Sequence, residues 1–461
     1  MKHLSCFKAY DLRGRVDDDL NEAVVEHVGR AFAQHLAARR VAVGRDARLS
    51  SPSLAAALID GLRRAGTEVL DLGLAGTEEV YYAAFSQNLD GGLAVTGSHN
   101  PLTDNGIKFI GRKARPLEEE DFIAIRVLAE SGAFTSDSTQ GDLHLTNFRA
   151  EYIEHLLDYV QVENLPPLKI LVNPGHGAAG PILSLLEQAL AARGAPIEFI
   201  KVGWEPDGTF PLGLPNPMLS ENRAYTAEAV RRSGADLGLA WDGDFDRCFF
   251  FDEKGRFIEG YYLVGLLAGF FLEKYPGASI IHDPRLIWNT IDIVERAGGR
   301  PMVSKTGHAF VKAAMRKAKA VYGGEMSAHH YFADFGYCDS GMIPWLLVLE
   351  LMGRKGLPLS ALVAERQDLF PCSGEMNFRV ADGPALMAAV KARYDRRAVK
   401  VEHLDGLSLE MPEWRFNLRA SNTEPLIRLN LESRGRPGLV AEKTAELEAL
   451  INIHQDETAV G

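Results

Sequence analysis

Three passages of the chain share one pattern of hydrophobic and polar positions. Each has a short apolar run, a polar loop containing Gly, Pro or Asp, an amphipathic helical stretch, a glycine-containing stop and a second apolar run. Strands alternating with helices of this length indicate βαβ units and parallel sheets. The passages are "VAVGRDARLSSPSLAAALIDGLRRAGTEVLDLG" from Val41, "KILVNPGHGAAGPILSLLEQALAARGAPIEFIKV" from Lys169 and "SIIHDPRLIWNTIDIVERAGGRPMVSKTGH" from Ser279.

Some distance after each passage, another apolar run opens into a polar loop. These segments read "GGLAVTGSHN", "ADLGLAWDGDFDR" and "AVYGGEMSAHH". Ligands of open α/β sheets collect beyond the carboxyl ends of the strands. We therefore expect the three loops to face a shared cleft.

The end of the chain follows a different pattern. "WRFNLRASNTEPLIRLNLESR" alternates apolar and polar residues on both sides of "ASNTEP", which predicts two strands joined by a loop, with helical patterns around them. The predicted fold is α/β, with three similar α/β domains of mixed, mostly parallel sheets and a C-terminal α+β domain around a central cleft. The predicted domains are 1–145 with the serine loop, 146–253 with the aspartate loop, 254–369 with the third loop, and 370–461.

Composition narrows the possible functions. The 461 residues are 46% hydrophobic and 24% charged, an ordinary globular mixture, and the net charge of -12 argues against a nucleic-acid partner. The four cysteines are scattered, which favours a reduced, cytoplasmic protein without a zinc site or disulfide framework. We expect neither a signal peptide nor a membrane span, because the N-terminus lacks an apolar stretch and the longest apolar runs are too short.

The stretch "WDGDFDRC" places Asp242, Asp244 and Asp246 at alternate positions, on one face if the strand continues. Three carboxylates so close repel one another, and hard oxygen ligands favour Mg²⁺ or Ca²⁺. An EF-hand would place Glu253 at position 12, but it needs glycine where Arg247 stands, and "CFFFDEKGRF" is typical of a strand and turn. A solvated acidic turn is the other alternative. We favour a Mg²⁺ site with an open position for a phosphate oxygen.

The stretch "PGHGAAG" carries Gly175, Gly177 and Gly180 between a strand and a helix. This G-x-G-x-x-G spacing is the fingerprint of dinucleotide binding in its proper context. The next strand ends in a lysine rather than in an acidic ribose ligand. We therefore favour a tight strand-to-helix turn.

Two further loops suit a phosphosugar. "RASNTEPLIR" combines short polar side chains with arginines. A phosphate-binding loop explains this combination better than a lone polar turn, which would not need the arginines. "GGEMSAHH" offers a carboxylate and a hydroxyl that can hold the vicinal hydroxyls of a sugar, although a buried polar cluster explains it equally well. The residues concerned are Arg419, Ser421, Asn422, Thr423 and Arg428 in the first loop, and Glu325, Ser327 and His329 in the second.

Ser98 in "TGSHNP" has two interpretations. It is either a nucleophile that carries a phosphoryl group or a serine that caps a helix. A serine loop, a metal loop, a sugar-type loop and a phosphate loop in one chain form a consistent set, which favours the nucleophile. Lys108 would then stabilise charge on the transferred group, and His99 and Asn100 would help to position it.

These motifs, in this order, resemble those of the α-D-phosphohexomutase superfamily over nearly the whole chain. The similar stretches are "FKAYDLRGR", "TGSHNP", "NGIKF", "DGDFDRCFFFDEKG", "KTGHAF", "GGEMSAHHYF" and "RASNTEP". Within the superfamily, "IEGYYLVGLLAGFFLEK", "IHDPRL" and "CDSGMIPWLL" are similar to the bacterial phosphomannomutases that feed GDP-mannose synthesis. The family's serine loop usually reads "TASHNP". The glycine at position 97 puts the rigidity of the loop in doubt, because glycine widens the backbone choices.

The resemblance implies a role for each matching residue. Ser98 matches the phosphoserine, and the N-terminal stretch joins the active site. The implied catalytic residues are Ser98, Arg13, Lys108, His99, His308 and His329. The implied substrate-binding residues are Tyr10, Arg247, Gly307, Glu325, Ser327, Arg419, Ser421, Asn422, Thr423 and Arg428. The implied metal ligands are Ser98, Asp242, Asp244 and Asp246.

The activity so implied is the Mg²⁺-dependent interconversion of mannose 6-phosphate and mannose 1-phosphate. It uses a phosphoserine and a hexose 1,6-bisphosphate, which is both intermediate and activator. The nearest alternative is a phosphoglucomutase or a dual-specificity enzyme. A nicotinamide-dependent dehydrogenase and a catalytically silent sugar-phosphate sensor are alternatives from other classes. The expected partner is a phosphosugar, with no nucleic acid or membrane, and the expected protein is a cytoplasmic monomer or weak dimer.

Overall fold

The computed structural model describes most of the chain and divides it into two compact units. Unit 1 comprises residues 1–258 and 328–359, and unit 2 comprises 259–327 and 360–461. No helix of the described ranges is long and apolar enough to cross a membrane. The described residues are 3–135, 139–380, 382–420 and 426–454.

The first part of unit 1 is a six-stranded sheet with helices. Its elements are β1 (Asp11–Arg15), α1 (Glu22–Leu36), β2 (Arg40–Arg45), α2 (Ser51–Arg64), β3 (Glu68–Leu74), α3 (Thr77–Ser86), β4 (Gly91–Val95), β5 (Asp104–Gly111), α4 (Glu119–Ser131) and β6 (Leu143–Leu145). The strand order is β1-β5-β4-β2-β3-β6. Strands β2, β3, β4 and β6 pair in parallel, and β5 is antiparallel to both β4 and β1.

Helix α1 shows why these elements form. The Asn21 side chain accepts a hydrogen bond from the backbone of Val24 at 3.0 Å and so caps the helix. One face buries Val25, Val28 and Phe32, which follow the helical repeat. This face belongs to the apolar core that also holds the buried side of α2 and of the sheet.

The second part of unit 1 repeats the plan with a five-stranded sheet. Its elements are α5 (Arg149–Leu157), β7 (Leu168–Asn173), α6 (Ala179–Ala192), β8 (Ile197–Lys201), α7 (Ala224–Ser233), β9 (Leu237–Trp241), β10 (Cys248–Phe251) and β11 (Phe257–Ile258). The order is β11-β10-β9-β7-β8. Strands β7, β8 and β9 are parallel, and β10 runs antiparallel to β9 and β11.

The third repeat begins in unit 2. Its elements there are α8 (Gly260–Lys274), β12 (Ser279–His282), α9 (Trp288–Arg296), β13 (Arg300–Val303), α10 (His308–Ala318) and β14 (Tyr322–Gly324). Strand β12 pairs in parallel with β13 and β14. The chain then contributes to unit 1 an antiparallel pair of strands and one helix: β15 (His330–Phe332), β16 (Cys338–Asp339) and α11 (Ile343–Lys355).

The C-terminal part of unit 2 is an antiparallel sheet with helices. Its elements are α12 (Leu359–Leu369), β17 (Cys372–Arg379), α13 (Gly383–Tyr394), β18 (Lys400–Glu402), β19 (Leu407–Glu410), β20 (Trp414–Ala420), β21 (Leu426–Ser433) and α14 (Pro437–Asn452). The order is β17-β21-β20-β19-β18, with all neighbours antiparallel. The predicted α/β class and the predicted strands on both sides of "ASNTEP" are confirmed.

Candidate active site

Ser98 lies in the turn that follows β4. Its side chain is buried, and its Oγ donates to Oδ2 of Asp242 over 3.0 Å and lies 3.1 Å from Nδ1 of His99. The φ of 48° is in the left-handed region, which costs a non-glycine residue roughly 1–2 kcal/mol, so the surroundings must hold it there. Residues 96–103 are all described, and they lead into β5 rather than into a helix. The helix-capping interpretation is therefore wrong.

The three aspartates lie in the turn between β9 and β10 rather than on one continued strand. All three are buried, and one carboxylate oxygen of each lies within 4.8 Å of the others. Asp244 Oδ2 accepts hydrogen bonds from Lys108 Nζ at 2.6 Å and from Thr77 Oγ1 at 2.5 Å. Lys108 also donates to Asp246. A single ammonium group thus bridges two of the three carboxylates.

The cluster fits a hard divalent cation. Oδ1 of Asp244 and Oδ1 of Asp246 are buried and have no hydrogen-bond partner in the described chain. Burying such oxygens without a partner is costly, and a cation of the Mg²⁺ or Ca²⁺ type prefers oxygen ligands. Asp242 brings Ser98 Oγ to the same cluster. The donor set therefore matches the predicted metal ligands.

The charges around the cluster shift its proton equilibria in opposite directions. Burial raises the pKa of Asp242 to about 7, and the two neighbouring carboxylates add to this effect against Arg247. Burial also acts to raise the pKa of Asp244, but Lys108 outweighs it and the pKa is lowered. Asp244 is accordingly held as a carboxylate by its bound ammonium group.

Arg247 and His99 form a second layer behind Ser98. Arg247 Nε donates to Asp242 Oδ2 over 2.9 Å, and Arg247 Nη2 donates to His99 Nδ1 over 2.6 Å. Burial, then Arg247 and Arg13, lower the pKa of His99 well below its usual value. A neutral imidazole with an unprotonated Nδ1 therefore faces the serine hydroxyl.

The structure contradicts the two alternative interpretations of the aspartate turn, an EF-hand and a solvated acidic turn. Strands β10 and β11 form a hairpin where an EF-hand needs a loop and a helix. A solvated acidic turn is also excluded, because Asp242 and Asp244 are 0% exposed.

The N-terminal stretch reaches the serine loop through β1. Pairing of β1 with β5 sets Arg13 opposite Gly106, and Arg13 Nη1 donates to the carbonyl oxygen of Thr96 over 2.7 Å. Lys108 pairs with Asp11 on the same ladder and with Ala94 of β4 on the other side. Tyr10 lies half-buried immediately before β1.

His329 falls in a different unit from Glu325 and Ser327 of the same sequence loop. It belongs to unit 1, where Nδ1 lies 3.0 Å from Oδ2 of the buried Asp339. Ligand atoms of His329, Asp339 and Asp246 also lie within 4.8 Å of one another. The histidine is thus placed at the edge of the carboxylate cluster.

Glu325 and Ser327 belong to a cluster in unit 2. The buried Glu325 accepts a hydrogen bond from the Gly307 backbone N–H over 3.0 Å. Gly307 has a φ of 121°, which favours glycine, and the half-buried His308 begins α10 directly after it. Ser327 Oγ accepts from Arg285 over 3.1 Å.

Three arginines surround one carboxylate in unit 2. Glu375 accepts from Arg419 over 3.1 Å and from Arg285 over 3.2 Å, and its other oxygen lies 3.8 Å from Arg428. Burial by itself would raise the pKa of Glu375, but the three guanidinium groups outweigh it and lower the pKa to about 2. Ser421, Asn422 and Thr423, predicted for the same loop, lie outside the described residues.

Sequence reasoning missed several residues of these clusters. Thr77 and Asp339 meet the aspartate turn only because the fold brings distant segments together. Arg285 had a signal, because "HDPRL" is a polar loop directly after β12. Glu375 lies in β17 and gave no signal.

The glycines of "PGHGAAG" serve packing. A Cβ on Gly177 would lie 2.8 Å from the carbonyl oxygen of Gly243 in the aspartate turn, and one on Gly180 would overlap the carbonyl oxygen of Trp204. Gly175 has a φ of 62°. These contacts support the tight-turn interpretation over a dinucleotide site.

Comparison with known proteins gives the class to which the fold and these clusters belong. Four family models described as phosphoglucomutase/phosphomannomutase domains match the chain: alpha/beta/alpha domain I at residues 5–136, domain II at 150–255, domain III at 259–370 and the C-terminal domain at 375–449. The chain belongs to this family, the α-D-phosphohexomutases, and it is an intramolecular phosphotransferase.

Proteins of similar sequence and structure show which members of this family the chain resembles. A phosphomannomutase of Salmonella montevideo is 54% identical over 455 residues, which are 98% of this chain and 100% of the relative. A phosphomannomutase of Escherichia coli K12 is 52% identical over 98% of this chain and 100% of its own. A crystal structure of a phosphoglucomutase/phosphomannomutase family protein from Burkholderia thailandensis matches with a TM-score of 0.85 and 30% identity, covering 99% of both chains.

Proposed function

We propose that the protein interconverts mannose 6-phosphate and mannose 1-phosphate through a phosphoserine at Ser98. The observation that carries the proposal is the buried Ser98 hydroxyl, hydrogen-bonded to a carboxylate of an aspartate cluster that fits a divalent cation. The phosphomannomutases named above, at 52–54% identity over the full chain, support mannose as the sugar. They do not favour a phosphoglucomutase or a dual-specificity enzyme.

Phosphoryl groups and protons balance over one catalytic cycle. Phosphorylated Ser98 loses its phosphoryl group to the free hydroxyl of the bound sugar phosphate. The sugar becomes the 1,6-bisphosphate, and the proton of its hydroxyl ends on the Ser98 oxygen. The bisphosphate turns around, and its other phosphoryl group returns to Ser98. The proton goes back to the oxygen that is left on the sugar, so the enzyme ends as it began.

The residues around Ser98 have separate tasks in this cycle. Asp242 accepts a hydrogen bond from the Ser98 hydroxyl and holds it in place when it bears no phosphoryl group, and the neutral His99 lies beside it. Lys108 and Arg13 supply positive charge at the serine loop for the transferred group. His329, oriented by Asp339, and His308 are candidates for moving the sugar proton.

We assign Mg²⁺ to the aspartate cluster, held by Asp242, Asp244, Asp246 and an oxygen of Ser98 or its phosphate. When bound, it neutralises charge on the phosphoryl oxygens during transfer. The orphaned oxygens of Asp244 and Asp246 support this assignment.

The unit 2 residues are assigned to the substrate. Glu325 and Ser327 would bind sugar hydroxyls beside Gly307. Arg419 and Arg428, with Ser421, Asn422 and Thr423, would bind the phosphate that is not reacting, because guanidinium groups suit phosphate oxygens. Arg247 and Tyr10 would contact the substrate near the serine loop. The same proposal includes four further expectations from the sequence. They are the domain limits, the cytoplasmic location, the monomeric or weakly dimeric state, and a role in supplying GDP-mannose synthesis.

A comparison of kcat/KM for mannose 1-phosphate and glucose 1-phosphate, with hexose 1,6-bisphosphate present, tests this function. We expect the mannose compound to be preferred and Ser98→Ala to lose turnover while remaining folded. Preference for glucose 1-phosphate would contradict the substrate. Binding of both sugars without turnover by the native protein would indicate a sensor.

A further inference from the structure

Arg48 is a buried arginine outside the clusters described above. It lies in the "GRDARLSS" loop between β2 and α2 and is 2% exposed. Its guanidinium donates to four backbone carbonyl oxygens that all belong to the segment after β4. These are the oxygens of Pro101 (2.7 Å), Asp104 (2.9 Å), Ser98 (3.0 Å) and Asn100 (2.5 Å).

Asp46 secures the other side of the same segment. Its Oδ2 accepts from Thr96 Oγ1 over 2.8 Å and from the Gly97 backbone N–H over 3.0 Å. Its Oδ1 accepts from the Arg48 backbone and from Ser51 Oγ, at 3.0 and 2.5 Å. Asp46 thus binds the two residues before Ser98, and Arg48 binds the carbonyl oxygen of Ser98 and those of residues further along the loop. The Ser98 side chain is left to face Asp242.

Gly97 makes room for this arrangement. A Cβ at position 97 would overlap Nε and Cζ of Arg48 and would lie 2.9 Å from its Cδ. Gly97 is not among the residues with positive φ, so it has no need of the left-handed region that favours glycine. The expectation that glycine gives this loop wider backbone freedom is therefore replaced by a steric reason: the guanidinium occupies the space of the missing side chain.

We propose that Arg48 is a positioning residue for the nucleophile. Arg48 does not touch the proposed phosphoryl group. It fixes the left-handed Ser98 backbone through the carbonyl oxygens, so that Oγ stays at Asp242. Misplacement of a reacting atom by about 1 Å can cost roughly a hundredfold in rate. This inference rests on the proposed role of Ser98.

The test is Arg48→Lys, with Arg149→Lys as the matched control. Lysine keeps the charge beside Asp46, but one ammonium cannot reach four carbonyl oxygens. Arg149 is also an arginine of unit 1 that donates to a carboxylate and to a carbonyl oxygen, those of Glu79 and Leu74. We expect Arg48→Lys to lower kcat by about ten- to a hundredfold and to leave KM for mannose 1-phosphate within about threefold. Arg149→Lys should change neither. Circular dichroism and thermal unfolding establish that each of the two variants is folded.

Two results would overturn the inference. They are a folded Arg48→Lys protein with native kcat, or an Arg48→Lys protein that changes only KM. If the native protein turns over no phosphosugar, the proposed function fails first. Amide exchange of residues 96–104 then decides on Arg48: faster exchange in Arg48→Lys than in Arg149→Lys supports it, and equal rates contradict it.

Discussion

At the scale of single residues, the aspartate turn brings three buried carboxylates together with few compensating charges. Asp244 and Asp246 share one ammonium group from Lys108, while Asp242 shares Arg247 with His99. Two cationic side chains thus accompany three carboxylates, and two carboxylate oxygens are left without a partner in the described residues. A divalent cation bound here would complete this balance without requiring a protonated carboxyl group.

Asp244→Asn should weaken the metal site. The amide cannot supply the negative charge that a hard cation prefers, so a higher Mg²⁺ concentration will be needed for half-maximal activity. We expect kcat/KM to fall by roughly a hundredfold at saturating Mg²⁺, about 2.7 kcal/mol of transition-state stabilisation. Asp252→Asn is the control, because Asp252 is buried in the same unit but binds Arg256. An unchanged Mg²⁺ requirement in Asp244→Asn would contradict the assignment.

Removal of the metal provides a separate test. Treatment with EDTA should abolish turnover, and added Mg²⁺ should restore it, because the transferred charge is otherwise poorly neutralised. Metal analysis of the treated protein must accompany the assay. Full activity in protein shown to contain no metal would rule out a metal-dependent transfer.

The motifs predicted these residues unevenly. Ser98 and the three aspartates could be read directly, because each follows an apolar strand in a distinctive polar stretch. Thr77 could not be predicted from the sequence, because it lies 167 positions away from its hydrogen-bond partner Asp244. The contact between Gly97 and Arg48 could not be predicted either, because Arg48 comes from another loop.

At the scale of elements, one buried carboxylate organises the start of α9. Glu432 of β21 accepts hydrogen bonds from the backbone of Ile287 over 2.7 Å and from Trp288 over 3.2 Å. It also accepts from Tyr261 and pairs with Arg415 at 2.9 Å. The negative charge lies at the N-terminus of the helix, where the helix dipole favours it. This contact therefore joins α8, α9 and the C-terminal sheet of unit 2.

Glu432→Gln should destabilise unit 2. The change leaves the buried Arg415 without its counter-charge, and loss of one partner of a buried pair costs about 3–5 kcal/mol. Urea unfolding followed by amide exchange in α9 measures the effect. Glu413→Gln, an exposed residue paired with Arg436, should change stability by less than about 0.5 kcal/mol. Equal stability of the two variants would show that Glu432 does not organise this region.

The sequence predicted elements better than their pairing. The three strand–helix–strand passages were visible because strands and helices have different hydrophobic periods. The antiparallel insertion of β5 between β1 and β4 was not visible, although it sets Lys108 between Asp11 and Ala94. Strand order depends on contacts between distant segments, which a local pattern does not record.

At the scale of the whole molecule, the candidate residues fall in two compact units. Ser98 and the aspartates belong to unit 1, whereas Glu325 and Arg419 belong to unit 2. The sequence loop "GGEMSAHH" is itself divided, because His329 belongs to unit 1. The sequence repeats gave no indication of this division, which follows from packing.

Arg419→Ala should impair both directions of the reaction. The phosphate that is not reacting must be bound whether it stands on carbon 1 or on carbon 6, and one clamp must serve both orientations. Loss of a charge-assisted contact of about 1.5–3 kcal/mol predicts a fall in kcat/KM of roughly ten- to a hundredfold for either monophosphate. Dependence on added 1,6-bisphosphate should also rise, because the intermediate escapes more easily.

Steady-state kinetics in both directions, with the Haldane relation checked, measures this effect. Arg434→Ala is a suitable control, because its half-exposed side chain lies over Trp288 and near Glu410 in the same unit. Impairment of Arg419→Ala in one direction only would show that this arginine is not part of a shared clamp.

The central claim is that the phosphoryl group passes through Ser98 to a mannose phosphate. A single-turnover experiment with enzyme labelled by radioactive phosphate tests it most directly. Excess mannose 6-phosphate should remove the label from Ser98 at a rate at least equal to kcat, and the label should appear in mannose 1,6-bisphosphate and the monophosphates. Label that stays on the protein, or leaves more slowly than kcat while the enzyme turns over, would contradict the account.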